Sequence, residues 1–365
     1  MIKDFIYQIK NLYKFYIIPN KEKDVVFFSE GRNYFNTFIN YIEIIKKYKK
    51  IIYITTDRND PNYKCNLENL KIIYCKNIFL LILLMNNISC KNLIMTMPDL
   101  NNYEIKKSKN VNNYIYLFHS LVSTHMVYKS DAFDSYDKIL CTTQNQFDEL
   151  IQNKKLKNLN YKLYKSNYPK LNVLEKQFGS LKKEKIVTIA PSWGLDNIFE
   201  NENFQILLSE LVVNGFKIIL RPHSNVPVKI YSFLKTLKSK YKEETIIIEN
   251  NNANFFDTFK SSYLITDWSG IALEYFLITK NPVIFVDTKA KIRNKNFDGN
   301  NDNIPLEVSI RSKIGLIIKP LELNNINNYL KEIDKRNYNK EVQLIKEKIL
   351  FLNEITENNF SQILD

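Results

Sequence analysis

Apolar residues along this chain fall into short unbroken runs separated by stretches where they recur every three or four positions. Runs at 24–29, 50–56, 69–76, 92–97, 114–118 and 139–142 predict strands. A helix is expected at 36–48, and a shorter one ends at Met85. Continuous rather than alternating apolar strands are what a parallel sheet covered on both faces requires. After a polar interval the pattern restarts, with strands at 186–190, 217–220, 245–249, 263–266, 282–286 and 315–318. Helices are expected at 204–213, 231–241 and 271–278, and a long helical region from Leu321 onward. Two successive sets of alternating strands and helices predict an α/β protein.

The interval 152–185 is rich in lysine and asparagine, carries Pro169 and Gly179, and reads as a crossing between two domains. The expected division is an N-terminal segment 1–23, a first domain 24–165, a second domain 166–345 and a C-terminal helix 346–365. Two Rossmann-like parallel-sheet domains with a cleft between them is the GT-B plan. In segment 1–23, Phe5, Ile6, Ile9, Leu12, Tyr13, Tyr16 and Ile17 follow helical spacing, with Lys3, Lys10 and Lys14 among them, until Pro19-Asn20 ends the helix. Such a helix either lies in the headgroup layer of an anionic membrane or packs on the first domain.

Composition narrows the classes. Hydrophobic residues at 45% and aromatic residues at 13% exclude general disorder. Fifty-two basic against 39 acidic residues give +13, which invites an anionic partner. Only six of the basic residues are arginines, however, and no helix-turn-helix, zinc-finger or RNP pattern points to nucleic acid. The longest apolar run, 78–85, is far short of the roughly 20 residues that span a bilayer. With no signal-peptide pattern either, the chain is expected in the cytoplasm. Cys65, Cys75, Cys90 and Cys141 form no CxxC pair, and buried reduced thiols are expected.

In open parallel sheets, ligands sit beyond the carboxyl ends of the strands, so the residues that follow strands are the candidates for chemistry. Two of only three histidines fall there: His119 after the strand 114–118, and His223 after 217–220. His125 lies six residues beyond the first. Histidine suits proton transfer near neutral pH. Arg221-Pro222-His223-Ser224 is a compact cationic cluster suited to phosphate. Thr266-Asp267-Trp268-Ser269-Gly270 opens a helix whose free N–H groups make an anion seat, with Asp267 either a reacting group or an N-cap. Glu274, one turn on, is placed for a ribose diol or for solvent. Ser192 and Trp193, in Ala190-Pro191-Ser192-Trp193-Gly194, frame a base or a phosphate, or form a structural turn. Arg32, in Glu30-Gly31-Arg32-Asn33, faces an acceptor, as does His125. Asp131, Asp134 and Asp137, and the loop 298–302, lack the partners of a metal site, and no metal or cofactor is expected.

In their order, these residues resemble the CDP-glycerol glycerophosphotransferase family, polymerases and primases of teichoic acids and related capsules. The likeness rests on His119, Ala190-Pro191-Ser192-Trp193, Arg221-Pro222-His223, Thr266-Asp267-Trp268-Ser269 and Tyr168-Pro169-Lys170, and spans roughly 24–320. It implies a GT-B fold, an acceptor-facing first domain and a nucleotide-donor second domain. It implies attack by an acceptor hydroxyl on the β-phosphorus of a CDP-alditol, with a lipid-linked or polymeric glycan as acceptor. His119 would then be the general base, with His223 and Asp267 as the other reacting groups. Arg221, Ser269, Gly270, Glu274, Ser192 and Trp193 would hold the donor, and the enzyme would sit peripherally on the inner face of an anionic membrane. Two departures stand out: His119-Ser120-Leu121 replaces the family's His-Gly-Thr, and Gly270 replaces the second Ser of its Asp-Tyr-Ser-Ser run. Glu274 on the next helix is shared with nucleotide-sugar GT-B enzymes. A glycosyltransferase of capsule or lipopolysaccharide synthesis is therefore the alternative, followed by a 2-epimerase-like enzyme and a non-catalytic scaffold.

Overall fold

The computed structural model describes residues 2–64, 68–194, 196–223, 225–242, 244–249, 256–298, 304–352 and 356–365. Cys65, Ser224 and residues 299–302 of the acidic loop lie outside them. The first sheet consists of β1 (Val25–Ser29), β2 (Ile51–Thr55), β3 (Leu70–Tyr74), β4 (Cys90–Met95), β5 (Val111–Leu117), β6 (Lys138–Cys141) and β7 (Lys162–Lys165). The second consists of β8 (Glu184–Ile189), β9 (Lys217–Leu220), β10 (Ile246–Ile248), β11 (Ser261–Thr266), β12 (Val283–Val286) and β13 (Gly315–Ile318). Their orders are β3-β2-β1-β4-β5-β6-β7 and β10-β9-β8-β11-β12-β13, every pairing parallel. Strand order thus reverses once in each sheet, beside β1 and beside β8, and a crevice opens at such points. The expectation of two Rossmann-like parallel sheets is borne out.

Helices cover the sheets: α1 (Ile2–Ile17), α2 (Phe35–Ile45), α3 (Ile78–Asn87), α4 (Thr124–Val127), α5 (Gln144–Lys157) and α6 (Pro169–Phe178), then α7 (Phe204–Val213), α8 (Val228–Lys238), α9 (Phe256–Lys260), α10 (Ile271–Thr279) and α11 (Leu306–Ile314). The final region is broken into α12 (Ile326–Ile333), α13 (Asn339–Lys348) and α14 (Glu357–Leu364) rather than one long helix. The crossing interval is more regular than its polarity suggests, since α5, β7 and α6 occupy most of it. β7 is an edge strand of Lys-Leu-Tyr-Lys with no fully buried residue, so it lacks the apolar run that marks the others. Pro169 opens α6, where its missing N–H has no intrahelical partner to lose.

Both chain ends finish the first domain. On α1, Leu12 and Phe15 join the core beneath β1–β4, and Gln8 accepts the N–H groups of Lys76 and Asn77 at 2.7 Å each. The N-terminal helix therefore packs on the fold along one face. On α14, Phe360, Ile363 and Leu364 enter the core on the other side of the sheet. The Ile363 and Leu364 carbonyls accept from Lys138 Nζ at 2.7 Å and Asn92 Nδ2 at 2.9 Å. Among the described residues no helix is long and apolar enough to cross a membrane. Cys75, Cys90 and Cys141 are buried, and burial pushes the first two thiols up to about 11 and about 12.

Candidate active site

A cleft of about 380 Å³ runs between the carboxyl edges of the two sheets. From the first domain it is lined by Glu30 after β1, Pro98 after β4, and His119 and Ser120 after β5. From the second it receives Ser192 and Trp193 after β8, Arg221 and His223 after β9, and Ser269 and Gly270 between β11 and α10. The sheets fix these positions because each residue lies within four positions of the carboxyl end of a strand.

His119 stands edge-on to Tyr34, ring centroids 5.1 Å apart, and its Nδ1 has no hydrogen-bond partner among the described residues. Burial, with the Lys170 charge second, lowers its pKa to about 4. At neutral pH it is therefore an uncharged base. His223 is also lowered to about 4, by burial and then by the Lys291 and Arg221 charges. Its Nδ1 accepts the Asn225 N–H at 3.1 Å, which leaves the proton on Nε2. The two imidazoles are thus neutral for similar reasons, and His223 is fixed as a donor.

Arg221 is buried and pairs with Glu249, so its charge is anchored at the sheet end while its side chain lines the cleft. Asp267 sits behind the cleft wall. Its Oδ1 accepts the N–H of Ser192 at 2.7 Å and that of Trp268 at 2.6 Å, tying the loops after β8 and β11 together. The N-cap position of α10 belongs to Gly270, not Asp267. Glu274 turns inward: Lys170 Nζ lies 2.7 and 3.0 Å from its two oxygens, and the Tyr168 hydroxyl lies 2.6 Å from one of them. That hydroxyl is also 2.8 Å from the His119 carbonyl. The Tyr168-Pro169-Lys170 segment thereby locks α10 to the loop that carries His119.

The two departures noted in the sequence meet here. A Cβ built on Gly270 would lie 2.2 Å from Ser120 Oγ and 3.2 Å from Val122 Cγ1. Gly270 has an ordinary helical φ of −62°, so the demand for glycine comes from the facing side chains, Ser120 first and Val122 second. The slot holds one hydroxymethyl group, and in this chain it comes from the first domain.

Of the sequence-predicted residues, His119, His223, Arg221, Ser269, Gly270, Glu274, Ser192 and Trp193 line the cleft, and Asp267 lies just behind it. Arg32 and His125 are not brought to it. Arg32 forks onto Asp57, with Nε–Oδ2 at 2.5 Å and Nη2–Oδ1 at 3.0 Å. His125 Nδ1 lies 2.9 Å from Glu149, and its ring packs on Phe297. Asp134 and Asp137 are engaged separately, by Lys157 and Lys107.

Glu30 and Lys170, named in the sequence only as members of their segments, also line the cleft, as do Tyr34, Lys291 and Arg293, which sequence reading passed over. Glu30 reaches solvent through the cleft mouth but is otherwise ringed by protein, and that desolvation raises its carboxyl to about 7. Lys291 is lowered to about 8, chiefly by burial. The signal for the last two was present: Lys289-Ala290-Lys291-Ile292-Arg293 closely follows β12, and arginine is as informative as histidine in a chain with six.

Residues 158–298 match the family model described as CDP-Glycerol:Poly(glycerophosphate) glycerophosphotransferase, a span that holds Arg221, His223, Asp267 and Ser269. Among solved structures, the wall teichoic acid polymerase TagF soaked with CDPG superposes with a TM-score of 0.56 at 14% identity, over 100% of this chain and 94% of that one. The S. aureus MnaA–UDP complex gives 0.55 at 11% identity, over 86% and 89%. The UDP-GlcNAc 2-epimerase from Methanocaldococcus jannaschii gives 0.51 at 12%, over 93% and 98%. No curated protein sequence matches the chain. At such identities the structures speak for the fold, a GT-B-like pair of sheets. The family match bears out the resemblance, and with it the enzyme class, a transferase of phosphorus-containing groups.

Proposed function

We propose that this transferase, similar to the CDP-glycerol glycerophosphotransferases, moves an alditol-phosphate group from a CDP-activated donor to a hydroxyl of a lipid-linked or polymeric glycan. One observation carries the reading. A neutral imidazole with an unpartnered nitrogen, His119, lines the same cleft as a neutral imidazole donor, His223, and the N-terminus of α10. In this scheme the His119 imidazole takes the proton of the acceptor hydroxyl as its oxygen bonds to the β-phosphorus. The bond from that phosphorus to the bridging oxygen breaks, and CMP leaves with the electron pair. His223 Nε2–H and the free N–H groups of α10 stabilise the charge that grows on the phosphates. Arg221, held by Glu249, contributes a fixed positive field, and Asp267 and Glu274 position loops rather than touch the donor.

The acceptor's lipid link gives the outer face of α1 a purpose. There Ile2, Ile6, Ile9, Tyr13 and Ile17 are exposed beside lysines 3, 10 and 14. Neighbouring α3 exposes Ile78, Phe79 and Leu83. Together they make an apolar face with a basic fringe, suited to the cytoplasmic surface of an anionic membrane.

The test is thermal unfolding with CDP-glycerol, CDP-ribitol, a UDP-sugar and a CMP-sugar, followed by assay of CMP release. A CDP-alditol at 100 times its dissociation constant should add about 2.7 kcal/mol. Stabilisation by the UDP-sugar alone would instead support the glycosyltransferase reading, and stabilisation by none of them a non-catalytic scaffold.

A further inference from the structure

Behind Trp193 lies a second chamber of about 300 Å³ that the reaction scheme above leaves unused. Ser192, Gly194, Asn197 and Asp267 form one side, and the loop 288–293 forms the other. That loop brings in Lys289, Lys291 and Arg293. Ser192, Trp193, Lys291 and Arg293 also line the main cleft, so the two spaces adjoin at these residues. Lys291 Nζ lies 4.3 Å from the Trp193 ring centroid and Arg293 Cζ 5.4 Å from it. Among the described residues, no ion pair or side-chain hydrogen bond is made by Lys289, Lys291 or Arg293. The carboxylate whose charge acts most on Lys291 is Asp267, which already accepts two backbone N–H groups. Cations gathered around a half-enclosed space without a paired carboxylate among the described residues are arranged for an anion that those residues do not supply.

The loop leans toward the first domain. Arg293 N–H donates to the Met126 carbonyl at 3.0 Å, and Asn294 Nδ2 to the His125 carbonyl at 2.8 Å. These contacts hold the cations to the segment that follows His119. The α10 N-terminus and His223, which face the donor in the scheme above, line the main cleft but not this chamber.

We propose that the chamber is a second anion site, where Lys291 and Arg293 grip a phosphodiester of the acceptor chain while its terminal hydroxyl reaches His119. The proposal rests on the transferase reading for its choice of ligand and adds an acceptor subsite to it. Such a clamp would favour acceptors that already carry phosphodiesters over uncharged polyols.

Calorimetric titration of the intact protein with a synthetic tri(glycerol phosphate), with triglycerol as the uncharged probe, tests it. Wild type should bind the phosphodiester probe and bind triglycerol far more weakly. Lys291→Gln and Arg293→Gln should each weaken the phosphodiester probe ~10-fold, as loss of a charge-assisted contact does. Lys291→Arg should retain it, and in both Gln variants CDP affinity should fall by less than phosphodiester affinity does. Equal binding of triglycerol, or variants that lose CDP while keeping the phosphodiester, would overturn the proposal. A wild-type protein that fails to bind CDP undermines the transferase reading separately, because the phosphodiester titration needs no donor. Should Arg293→Gln unfold for lack of its ring contact, Lys291→Gln and Lys291→Arg still decide.

Discussion

On the second-domain wall of the cleft the polar groups that follow β9 and β11 are already engaged. Arg221 is paired with Glu249, Asp267 holds two backbone N–H groups, and His223 accepts from Asn225. On the first-domain wall His119 Nδ1 is unpartnered, Glu30 faces the opening, and Ser120 Oγ presses on the opposite domain. The same topology supports both walls, so the contrast lies in side chains rather than in fold. A wall bonded in advance suits a ligand that must be held in one pose, because its dipoles need not reorganise during reaction. A wall that carries a neutral imidazole suits proton transfer.

The sharpest way to break that contrast is His119→Ala. It should lower turnover by roughly 10²- to 10⁴-fold, the usual worth of a general base, while donor affinity persists. Because His119 is lowered to about 4, kcat/KM of the wild type should stay level through pH 6.5 and fall only as pH approaches about 4. Near-normal turnover in the variant would return His119 to a structural role, whereas an acid limb near 6.5 would show that burial does not lower its pKa.

The Ser120–Gly270 contact sharpens the comparison at the seam between the walls. Gly270→Ser forces a second hydroxymethyl into a slot where its Cβ meets Ser120 Oγ at 2.2 Å. Overpacking of this kind costs about 1–3 kcal/mol. Ser120→Gly should relieve most of it, so a double-mutant cycle by chemical denaturation should return a coupling well above additivity. Additive losses would mean that the domains part easily and that the slot is not tight.

These contacts also mark the limit of what the sequence revealed. Apolar runs located nearly every strand, because a parallel sheet buried on both faces must be written in Val, Ile, Leu and Phe. The strand-end rule then led to His119, His223, Ser192 and Ser269. It could not show that Glu274 turns inward onto Lys170, because a helix surface position becomes an interior one only when the partner segment at 168–170 packs over it. His125 and Arg32 carried the right chemistry, yet tertiary partners at Glu149 and Asp57 took them up. Lys291 was obscured by abundance, since lysine makes a weak signal in a chain with 52 basic residues, whereas Arg293, one of only six arginines, was open to notice.

A smaller effect is expected on the outer face of the first domain. Phe79 is 78% exposed on α3 and Ile2 77% exposed on α1. Phe79→Ser should reduce partitioning to phosphatidylglycerol vesicles roughly tenfold, in keeping with partial burial of one aromatic ring. Activity on a short soluble acceptor should be unchanged. Unaltered sedimentation with vesicles would move the membrane contact elsewhere on the basic surface.

The smallest effect concerns Glu307, which joins the walls away from the chemistry. It is buried on α11, and its Oε1 accepts the Ser123 N–H from the first domain at 2.9 Å. Burial raises its carboxyl to about 7, and the Glu149 charge pushes the same way, while the Ser123 contact opposes. Tyr128 and Lys291 are the other titrating groups that sense its charge. In the unfolded chain a glutamate ionises near 4.3. The folded state therefore holds a proton that the unfolded state has lost between those two values. Stability from this group is complete below about pH 4 and is lost as pH rises through about 7. Glu307→Gln keeps the acceptor oxygen and removes the titration. The variant should be more stable than wild type at pH 8 by about 1 kcal/mol, the cost of ionising a buried acid less the weaker hydrogen bond to a neutral amide. At pH 4.5 the advantage should vanish. Denaturant midpoints measured at both pH values decide it, and an equal shift at the two would show that Glu307 is ionised in the fold throughout.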